Sequence, residues 1–533
     1  MACSTQTKAG IGTQHAFQMH RKSKIPYDAN IYRNVLFPIG SITVCLQEKR
    51  QPLLEAYAKK RKIMFQELRI KNFKGWKDTQ NIRMSPLTLF FGTNSSGKSS
   101  IGQFLMMLRQ TMDSSDRKVV FYPGGKNSAV HLGSYQDMVF HRDSTKSIEF
   151  EYKWTLNHLF EIKDLLSDNK FSGDSLAFNA SVGLETKDLN SLSVNQMQYS
   201  LFSNDRETLK IGMKRHSRAS DSAEAEYDVT AHHYKLKRKK GRVWYSGAPA
   251  RFYGFPNEVV SYYQNIDSVQ ELNLLHEELF HSLFYLGPLR RKAERLYSWT
   301  GTAPESVGYE GEDTIGALLA AKTRKIKISG QKEDTPFEQV IAEALKKMGL
   351  IERFKVNRLS EQRQEYDVKV CTNSSNDWVD LPDVGFGISQ VLPVLVQCFY
   401  APANSIIIME QPEIHLHPSA QAALADVLID VINSSEKGKP RNIQLIVETH
   451  SEHFLRRLQR RIAEDKISQQ NVAAYFANAS QTPIKLEALQ IDELGNILNW
   501  PENFFGDEMD DIIAQSKMAL KKRKALKLEL DQQ

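Results

Sequence analysis

A glycine-rich segment containing one lysine is the clearest chemical feature of this sequence. Gly92, Gly97, Lys98 and Ser99 have the spacing G-x-x-x-x-G-K-S, between a short apolar run and an amphipathic run. A strand, a glycine loop and a helix in this order form a cradle for phosphate groups. The glycines let successive backbone N–H groups face phosphate oxygens, and the helix N-terminus adds a positive dipole. The spacing therefore predicts a nucleotide site.

The residue types in this loop also indicate the nucleotide and its metal ion. Lys98 can reach the β- and γ-phosphates, and the Ser99 hydroxyl can take one coordination position of Mg²⁺. We therefore expect ATP and Mg²⁺ as cofactors. The loop residues expected to bind them are Gly92, Asn94, Ser95, Ser96, Gly97, Lys98, Ser99 and Ser100.

The composition limits the class of protein without identifying it. With 533 residues, 41% of them hydrophobic and 25% charged, the chain has the make-up of a globular protein with two to four domains. Its net charge of +7 is compatible with contact to nucleic acid or to an acidic partner but does not require it. The four cysteines are scattered without a C-x-x-C pair, which argues against a zinc site and a disulfide framework.

The apolar runs are too short for a membrane span. The longest, 406–409 and 391–396, fall far below the about 20 residues that a spanning helix needs. Residues 1–20 are polar where a signal peptide would need an apolar core. We therefore expect a soluble, cytoplasmic protein without membrane contact.

Three later segments have the order that an ABC-type ATPase head requires. The first is the glycine-rich turn 383–390, which runs into an apolar helix and resembles a degenerate signature motif. In ABC-type heads this helix N-terminus caps the γ-phosphate of ATP held by a second subunit. Gly387, Ser389 and Gln390 are therefore expected to bind nucleotide.

The other two segments are buried strands that end in polar residues. Glu410 ends the strand 405–410 and is expected beside Ser99, where it would organise Mg²⁺. His450 follows the strand 445–448 and could contact the γ-phosphate or hold the attacking water. Gln136, after the phosphate loop, is expected to take part in catalysis and metal binding.

The sequence therefore predicts an α/β fold, with an ABC-type P-loop head built from a mixed β-sheet and flanking helices. Alternating β-branched and aromatic residues in 147–265 predict an inserted β-rich lobe. Helical periodicity is predicted at 269–284 and 336–348. The predicted divisions are an N-terminal extension (1–63), the first part of the head (64–143), the inserted lobe (144–285), the second part of the head (286–484), and a small C-terminal α+β region (485–533).

Several segments resemble one known family. The segments are 286–290 (LGPLR), 307–312 (VGYEGE), 410–418 (EQPEIHLHP), 448–453 (ETHSEH), 489–495 (LQIDELG) and 500–505 (WPENFF). With the phosphate loop they resemble SMC-like, OLD-type ATPases of the AAA-15 and AAA-21 groups, followed by a DUF3696-like region. The resemblance implies a subunit of a bacterial anti-phage system that acts beside a separate nuclease or toxin.

One position departs from the pattern of most ABC-type heads. There the acid at the end of the strand is followed by a catalytic glutamate, whereas this chain has Gln411, which cannot accept a proton. Either Glu413 acts as the base, or hydrolysis is slow and ATP serves mainly as a structural clamp. Loss of a general base costs about 10²–10⁴ in rate. We expect slow turnover and an assembly stabilised by ATP.

Two functions remain open at this point. The first is a regulatory ATPase that forms at least a dimer through shared ATP sites and controls an effector. Only 83 residues follow His450 (533 minus 450), without the acidic residues of a Toprim nuclease, so we expect no nuclease in this chain.

The alternative is an SMC-like DNA-repair or DNA-binding ATPase, for which Arg456, Arg457, Arg460 and Arg461 could contact phosphates. Those arginines could equally pair with nearby acids such as Glu464 and Asp465. A long coiled-coil arm, which the second function would favour, is not indicated.

Some smaller patterns carry two interpretations each. His415 and His417 have the spacing of a metal pair, although a structural Leu-His-Pro turn is the stronger interpretation. The basic run 235–242 could contact a phosphate backbone or form a solvated hairpin tip. The apolar alternation at 41–46 could form an edge strand or belong to an irregular arm.

Overall fold

The computed structural model describes most of the chain after residue 62. The described ranges are 63–164, 169–185, 191–216, 226–241, 245–266, 268–360, 362–372, 377–479, 482–501, 504 and 513–523. Residues 1–62 of the predicted N-terminal extension, with its possible strand at 41–46, and the end of the basic run 235–242 lie outside these ranges. Among the helices of the described ranges, none has the length and apolar character needed to cross a bilayer.

Strands outnumber helices in the described part of the chain. The first strands are β1 (Met64–Phe73), β2 (Trp76–Asp78), β3 (Ile82–Arg83), β4 (Leu87–Gly92), β5 (Ile148–Lys163), β6 (Lys170–Leu184), β7 (Leu192–Ser203), β8 (Arg206–Arg215) and β9 (Tyr227–His232). The later strands are β10 (Leu283–Leu286), β11 (Tyr297–Ser298), β12 (Lys325–Ile326), β13 (Thr335–Pro336), β14 (Arg353–Arg358), β15 (Glu365–Cys371), β16 (Val379–Asp380), β17 (Ile406–Glu410), β18 (Ser435–Glu436), β19 (Lys439–Pro440), β20 (Gln444–Glu448), β21 (Val472–Asn478) and β22 (Lys485–Ala488). The α-helices are α1 (Lys98–Asp113), α2 (Tyr135–Met138), α3 (Asn257–Tyr262), α4 (Ser268–His281), α5 (Thr314–Ala320), α6 (Phe337–Lys347), α7 (Phe386–Tyr400), α8 (Pro418–Ile432) and α9 (Glu452–Ala463).

A six-stranded sheet carries the motifs, in the order β10-β17-β20-β4-β21-β22. All neighbours are parallel except β21 and β22. The three central strands are fully buried, as parallel strands covered on both faces require. Because parallel strands share one carboxyl edge, the phosphate loop after β4 lies at the same edge as Glu410 and Glu448. The first strand of the predicted C-terminal region, β22, forms the outer edge of this sheet.

A larger antiparallel sheet contains the strands predicted for the inserted lobe. Its order is β2-β1-β5-β6-β7-β8-β9, with β3 also paired to β1. Strands β5 to β9 lie within the predicted lobe and continue the sheet that begins with β1. The predicted division at residue 144 is therefore crossed by the β1–β5 pairing, which runs from Met64 opposite Thr155 to Lys71 opposite Glu149.

Helix α1 packs on the antiparallel sheet and helices α7 and α8 cover the other face of the six-stranded sheet. The Phe104 ring of α1 meets Phe73 and Phe150 edge-on, with centroids 5.0 and 5.1 Å apart. Side chains of β17 alternate between the two cores, since Ile408 faces α1 and Ile407 faces α7. The phosphate loop is thus fixed between two packed layers.

A buried histidine lies in the core under the antiparallel sheet and contacts two of its tyrosines. His276 of α4 is fully buried, with Nε2 2.7 Å from the Tyr152 hydroxyl and Nδ1 2.8 Å from the Tyr199 hydroxyl. Burial lowers the pKa of His276 well below its usual value, so the ring is neutral. Helix α4 ends at His281, earlier than the predicted end at residue 284, because Leu283 and Phe284 pair with β17 as part of β10.

Candidate nucleotide site

The phosphate loop is closely packed around two glycines. Gly97 precedes α1 with φ of 82°, and a Cβ there would lie 3.2 Å from the indole nitrogen of Trp76. A Cβ on Gly92 would lie 2.6 Å from the Ala477 carbonyl oxygen. Both positions therefore require glycine, for the backbone angle and for the space.

Trp76 supports the loop from beneath, and the sequence pattern did not indicate it. Its indole is fully buried and donates hydrogen bonds to the Gly97 carbonyl (3.1 Å) and the Ser100 hydroxyl (2.9 Å). Because Trp76 begins β2, the antiparallel sheet contacts the phosphate loop directly.

Lys98 is buried and turned back over the loop. Its ammonium donates to the carbonyls of Thr93 (2.7 Å) and Gly92 (3.1 Å) and to the Ser96 hydroxyl (3.3 Å). Burial lowers the pKa of Lys98, and Glu448 and Glu413 partly oppose that shift. Phosphate oxygens are stronger acceptors for a cation than these neutral carbonyls, so the ammonium is placed to exchange them for phosphate.

Glu410 ends β17 and is fixed by a residue that the sequence did not indicate. The Tyr285 hydroxyl donates to its Oε1 at 2.7 Å. Burial, and then the neighbouring Glu448, raise the pKa of Glu410 to about 7, while Tyr285, Lys74 and Arg290 oppose the shift. A cation at this edge of the sheet would stabilise the ionised carboxylate.

Glu448 ends β20 and is a second buried acid that the sequence motifs did not single out. It lies beside Glu410 in the strand register, and its Oε1 is 4.0 Å from the Lys98 nitrogen. Burial raises the pKa of Glu448, whereas the nearby Ser99 hydroxyl and the charge of Lys98 lower it. The sequence places Glu410 beside Ser99, which stays a prediction, and Glu448 ends the strand that pairs directly with β4. The one sequence feature that could have indicated it is its position at the end of a buried strand.

Glu413 and His450 form a pair behind these acids. The backbone N–H of His450 donates to Glu413 Oε1 at 2.8 Å, and the other oxygen of Glu413 is buried without a partner. Burial raises the pKa of Glu413. Burial and the nearby Lys98 lower the pKa of His450, so its imidazole is neutral near pH 7.

Arg290 binds the backbone at Gln411, the position at which most ABC-type heads have a catalytic glutamate. Its guanidinium donates to the carbonyls of Glu410 (2.9 Å) and Gln411 (3.2 Å). Gln411 has φ of 45°, and its N–H donates to the Glu448 carbonyl at 2.8 Å. Burial lowers the pKa of Arg290 to about 10, which Glu413 and Glu410 oppose. Arg290 thus fixes the left-handed turn that follows β17.

The signature-like turn forms the N-terminus of α7. Gly385 and Phe386 are exposed, Gln390 is buried, and the Ser389 hydroxyl donates to the Phe386 carbonyl at 2.8 Å. A Cβ on Gly387 would lie 2.9 Å from the His415 carbonyl, which explains the glycine. The predicted contact of this turn with nucleotide depends on a second subunit and stays a prediction.

Other predicted residues have clear structural surroundings. Gln136 is exposed in α2, next to a segment whose Met138 carbonyl accepts from the Lys74 N–H at 2.6 Å, and its role stays a prediction. His417 caps α8 by accepting from the Ser419 N–H, and Pro418 takes the first helical position, as in a structural turn.

The four arginines of α9 are all paired with acids. Arg457 and Arg461 both bind the buried Asp426, each at 2.6 Å. The other pairs join Arg456 to Glu452 and Arg460 to Glu464, and Arg461 also contacts Glu464. These contacts support the interpretation of α9 as a charged outer face.

The side chains at the carboxyl edge fit a magnesium ion. Mg²⁺ prefers oxygen ligands and is usually held by one or two carboxylates together with phosphates and water. Ser99, Glu410 and Glu448 supply such oxygens, and Glu448 Oε2 is buried without a hydrogen-bond partner. Within the described ranges, no group of three or more His, Cys, Asp or Glu side chains is arranged to hold a metal ion.

The solved structures that resemble this chain include SMC head domains. An SMC head bound to the C-winged helix domain of ScpA is 12% identical with a TM-score of 0.36, covering 80% of this chain and 98% of that chain. The SMC head domain from Thermotoga maritima is 10% identical with a TM-score of 0.35, covering 80% and 99%. No curated protein matches the chain.

Two family models match the sequence itself. Residues 467–515 match the model described as a protein of unknown function, DUF3696. Residues 87–456, more than half of the chain, match the model described as "AAA domain, putative AbiEii toxin, Type IV TA system". The chain therefore belongs to this AAA family, and it contains a region that matches DUF3696.

Proposed function

We propose that this chain is an ATPase subunit that binds Mg²⁺ and ATP, hydrolyses ATP slowly, and pairs with a second copy through its ATP sites. Pairing would control a separate nuclease or toxin in anti-phage defence. The observation that supports this most is the convergence of Lys98, Glu410, Glu448 and His450 at one edge of the sheet, although they come from three separate strands.

Binding would use the phosphate loop and the acids opposite it. Phosphate oxygens would accept hydrogen bonds from the loop N–H groups and from Lys98 in place of the carbonyls of Gly92 and Thr93. Ser99 and the carboxylates of Glu410 and Glu448 would hold Mg²⁺. When bound, Mg²⁺ neutralises charge on the β- and γ-phosphates.

Slow hydrolysis follows from the residues around the attacking water. Gln411 has an amide where most related heads have a carboxylate, and an amide cannot take the proton of water. Glu413, the other candidate base, accepts the His450 N–H through Oε1 at 2.8 Å and keeps Oε2 without a partner. Without an efficient base we expect turnover about 10²–10⁴ below that of a head that has one.

Pairing through the ATP site is supported by the turn before α7. A 15-residue helix whose N-terminal Gly385 and Phe386 are exposed offers unpaired N–H groups and a positive dipole to an anion outside its own subunit. The γ-phosphate on a second copy would be that anion, with Ser389 beside it.

The expected assembly can be measured by light scattering after size-exclusion chromatography, with and without Mg²⁺ and ATP. The wild-type chain should be dimeric with nucleotide, and both Lys98→Ala and Ser389→Arg should abolish the dimer. Mixing these two variants should restore part of it, because one composite site is then intact. Ser261→Arg, on the exposed face of α3, is the matched control. Identical masses with and without ATP would contradict pairing.

The rate and the biological role need separate measurements. ATP turnover below about one per second is expected, and about 10–100 per second, as in a fast kinase, would contradict slow hydrolysis.

The defence role is supported by the description of the matching family as a putative toxin of a type IV TA system. Co-purification with the product of a neighbouring gene, and loss of phage protection in Lys98→Ala, would be expected. Full protection by Lys98→Ala would contradict the role.

A further inference from the structure

Exposed lysines gather where β5 ends, where β6 begins, and where the chain leaves β9. We propose that this surface, called here the lysine cluster, binds the phosphate backbone of nucleic acid without recognising its sequence. The cluster consists of five exposed side chains, those of Lys163, Lys170, Lys235, Lys237 and Lys239. None of these lysines belongs to the candidate nucleotide site.

Asn265 fixes the segment after β9 against the end of β5. Its amide nitrogen donates to Asp164 Oδ1 and to the Lys235 carbonyl, each at 3.0 Å. Its amide oxygen accepts the Lys237 N–H, also at 3.0 Å. Asn265 is buried, so water does not compete strongly for these bonds. Because Asp164 directly follows Lys163, the bridge holds the end of β5 close to the lysines that follow β9.

A contact between two aromatic rings fixes the start of β6 to the same segment. Phe171 and Tyr234 meet edge-on, with ring centroids 5.5 Å apart, and Tyr234 is buried. Lys170 directly precedes Phe171, and Lys235 directly follows Tyr234. Since both lysines are exposed, two ammonium-bearing side chains flank a packed pair of rings.

The segment after β9 turns its lysines to one side. Residues 235–239 read Lys-Leu-Lys-Arg-Lys, and the chain is extended where Arg238 pairs antiparallel with Tyr263. Side chains alternate between the two sides of an extended chain. Leu236 packs on the core, and the Arg238 guanidinium lies 5.6 Å from the Tyr263 ring centre. The three lysines therefore share the other side, about 6.6 Å apart along the chain.

The other two lysines of the cluster face each other across the β5–β6 ladder. Lys163 lies directly opposite Lys170, and like charges in that position destabilise a sheet. Glu161 shares their face, yet among the described residues no ion pair includes a lysine of the cluster. The Lys239 ammonium contacts the neutral Val260 carbonyl at 3.4 Å. An anion from outside the chain would relieve the repulsion between these charges.

A phosphate backbone fits this surface better than an acidic protein does. Lysine is a point charge on a flexible stem, which suits contact with successive phosphates and gives no recognition of bases. The spacing of about 6.6 Å along the segment after β9 is close to two steps of about 3.4 Å along a nucleic-acid strand. Protein interfaces have an apolar core, and no large apolar side chain among the described residues between 227 and 266 is exposed.

The test is the salt dependence of nucleic-acid binding by the full chain, followed by fluorescence anisotropy. Labelled duplex DNA and labelled single-stranded RNA, both of scrambled sequence, are titrated between about 50 and about 200 mM salt. The double variant Lys235→Gln/Lys237→Gln should bind duplex DNA about 10–50-fold more weakly at about 150 mM salt. The slope of log K against log salt should become shallower by about 2, since each phosphate contact contributes about 0.9.

A matched control removes two exposed lysines elsewhere. Lys322→Gln/Lys325→Gln has the same change of charge and should bind like the wild-type chain. The nucleic acid whose binding falls more in Lys235→Gln/Lys237→Gln than in this control is the ligand of the cluster. Equal slopes and affinities for the wild type, the double variant and the control would overturn the inference.

A second double variant separates binding from folding. Lys163→Gln/Lys170→Gln should weaken binding to a similar extent, whereas its urea midpoint should equal or exceed that of the wild type, because a like-charge pair has been removed. A lower midpoint with unchanged binding would show that these lysines serve the fold, which would contradict the proposal. If the wild-type chain binds neither nucleic acid at about 50 mM salt, an acidic protein is the better partner and the proposal fails.

Discussion

Replacing Arg441 by methionine should lower the free energy of unfolding by about 2–6 kcal/mol. Arg441 is fully buried and packs against the C-terminus of α7. Ser389 lies near the N-terminus of the same helix. Its guanidinium donates to the carbonyls of Ala401 (2.6 Å), Phe399 (2.9 Å) and Cys398 (3.2 Å). Carbonyls at a helix end have no partner within the helix, so methionine would leave those of Cys398 and Ala401 unpaired and that of Phe399 with only a 3.5 Å bond from Arg324.

The magnitude is the difference of two effects. A hydrogen bond to a charged donor contributes about 1.5–3 kcal/mol, so losing it at three acceptors would cost about 5–9 kcal/mol. Methionine also removes a buried charge. Burial, helped by Arg324, lowers the pKa of Arg441 from 12.5 to about 10, which corresponds to roughly 3 kcal/mol regained. Because the acceptors are backbone groups, no side-chain replacement can remove them, and the loss outweighs the gain.

Equilibrium urea unfolding followed by tryptophan fluorescence measures this difference. Arg460→Met is the control. Because Arg460 forms an exposed pair with Glu464, this change should lower the free energy of unfolding by less than about 1 kcal/mol. Arg441→Lys should fall between wild type and methionine, because lysine keeps the charge with fewer donors. An Arg441→Met midpoint equal to that of Arg460→Met would refute the reasoning, as it would mean that the carbonyls find other partners.

Three further predictions concern other parts of the chain. Gly97→Ala, which puts a methyl group against Trp76 at positive φ, should weaken binding of a fluorescent ATP analogue at least about 10-fold, and unchanged affinity would contradict the packing. The folded-state pKa of His276 lies below its unfolded value of about 6.5, so below that pH the unfolded state binds more protons and stability falls, by up to about 1.4 kcal/mol per pH unit. Urea midpoints of His276→Gln should therefore decline less between pH 7 and pH 5 than those of wild type, and parallel profiles would exclude this histidine. Asp426→Asn should cost about 1–3 kcal/mol, because two arginines of α9 lose their shared carboxylate, and a midpoint like that of wild type would show that solvent already screens them.

The parts of the site encoded in consecutive residues could be predicted from the sequence. Glycine spacing before an amphipathic run sufficed for the phosphate loop and for the start of α1 near Lys98. Apolar runs that end in one polar residue sufficed for the strands leading to Glu410 and His450. Each of these features depends on local backbone geometry, which a few neighbouring residues determine.

The remaining parts depend on which strands become neighbours. Nothing local shows that Glu448, and not Glu410, ends the strand next to β4, because that depends on β20 lying between β17 and β4. Tyr285 and Trp76 act from segments distant in sequence from the residues they hold. The pairing of β5 with β1 was missed for the same reason, since alternating residues indicate a strand but not its neighbour.

The continuous antiparallel sheet has a mechanical consequence. Hydrogen-bonded ladders connect its outermost strand, β9, to β1 and from there to β2, where Trp76 touches the loop that would surround the triphosphate. Such ladders transmit displacement because adjacent backbones move together. A protein that binds at β9 would therefore displace the phosphate loop through the continuous sheet.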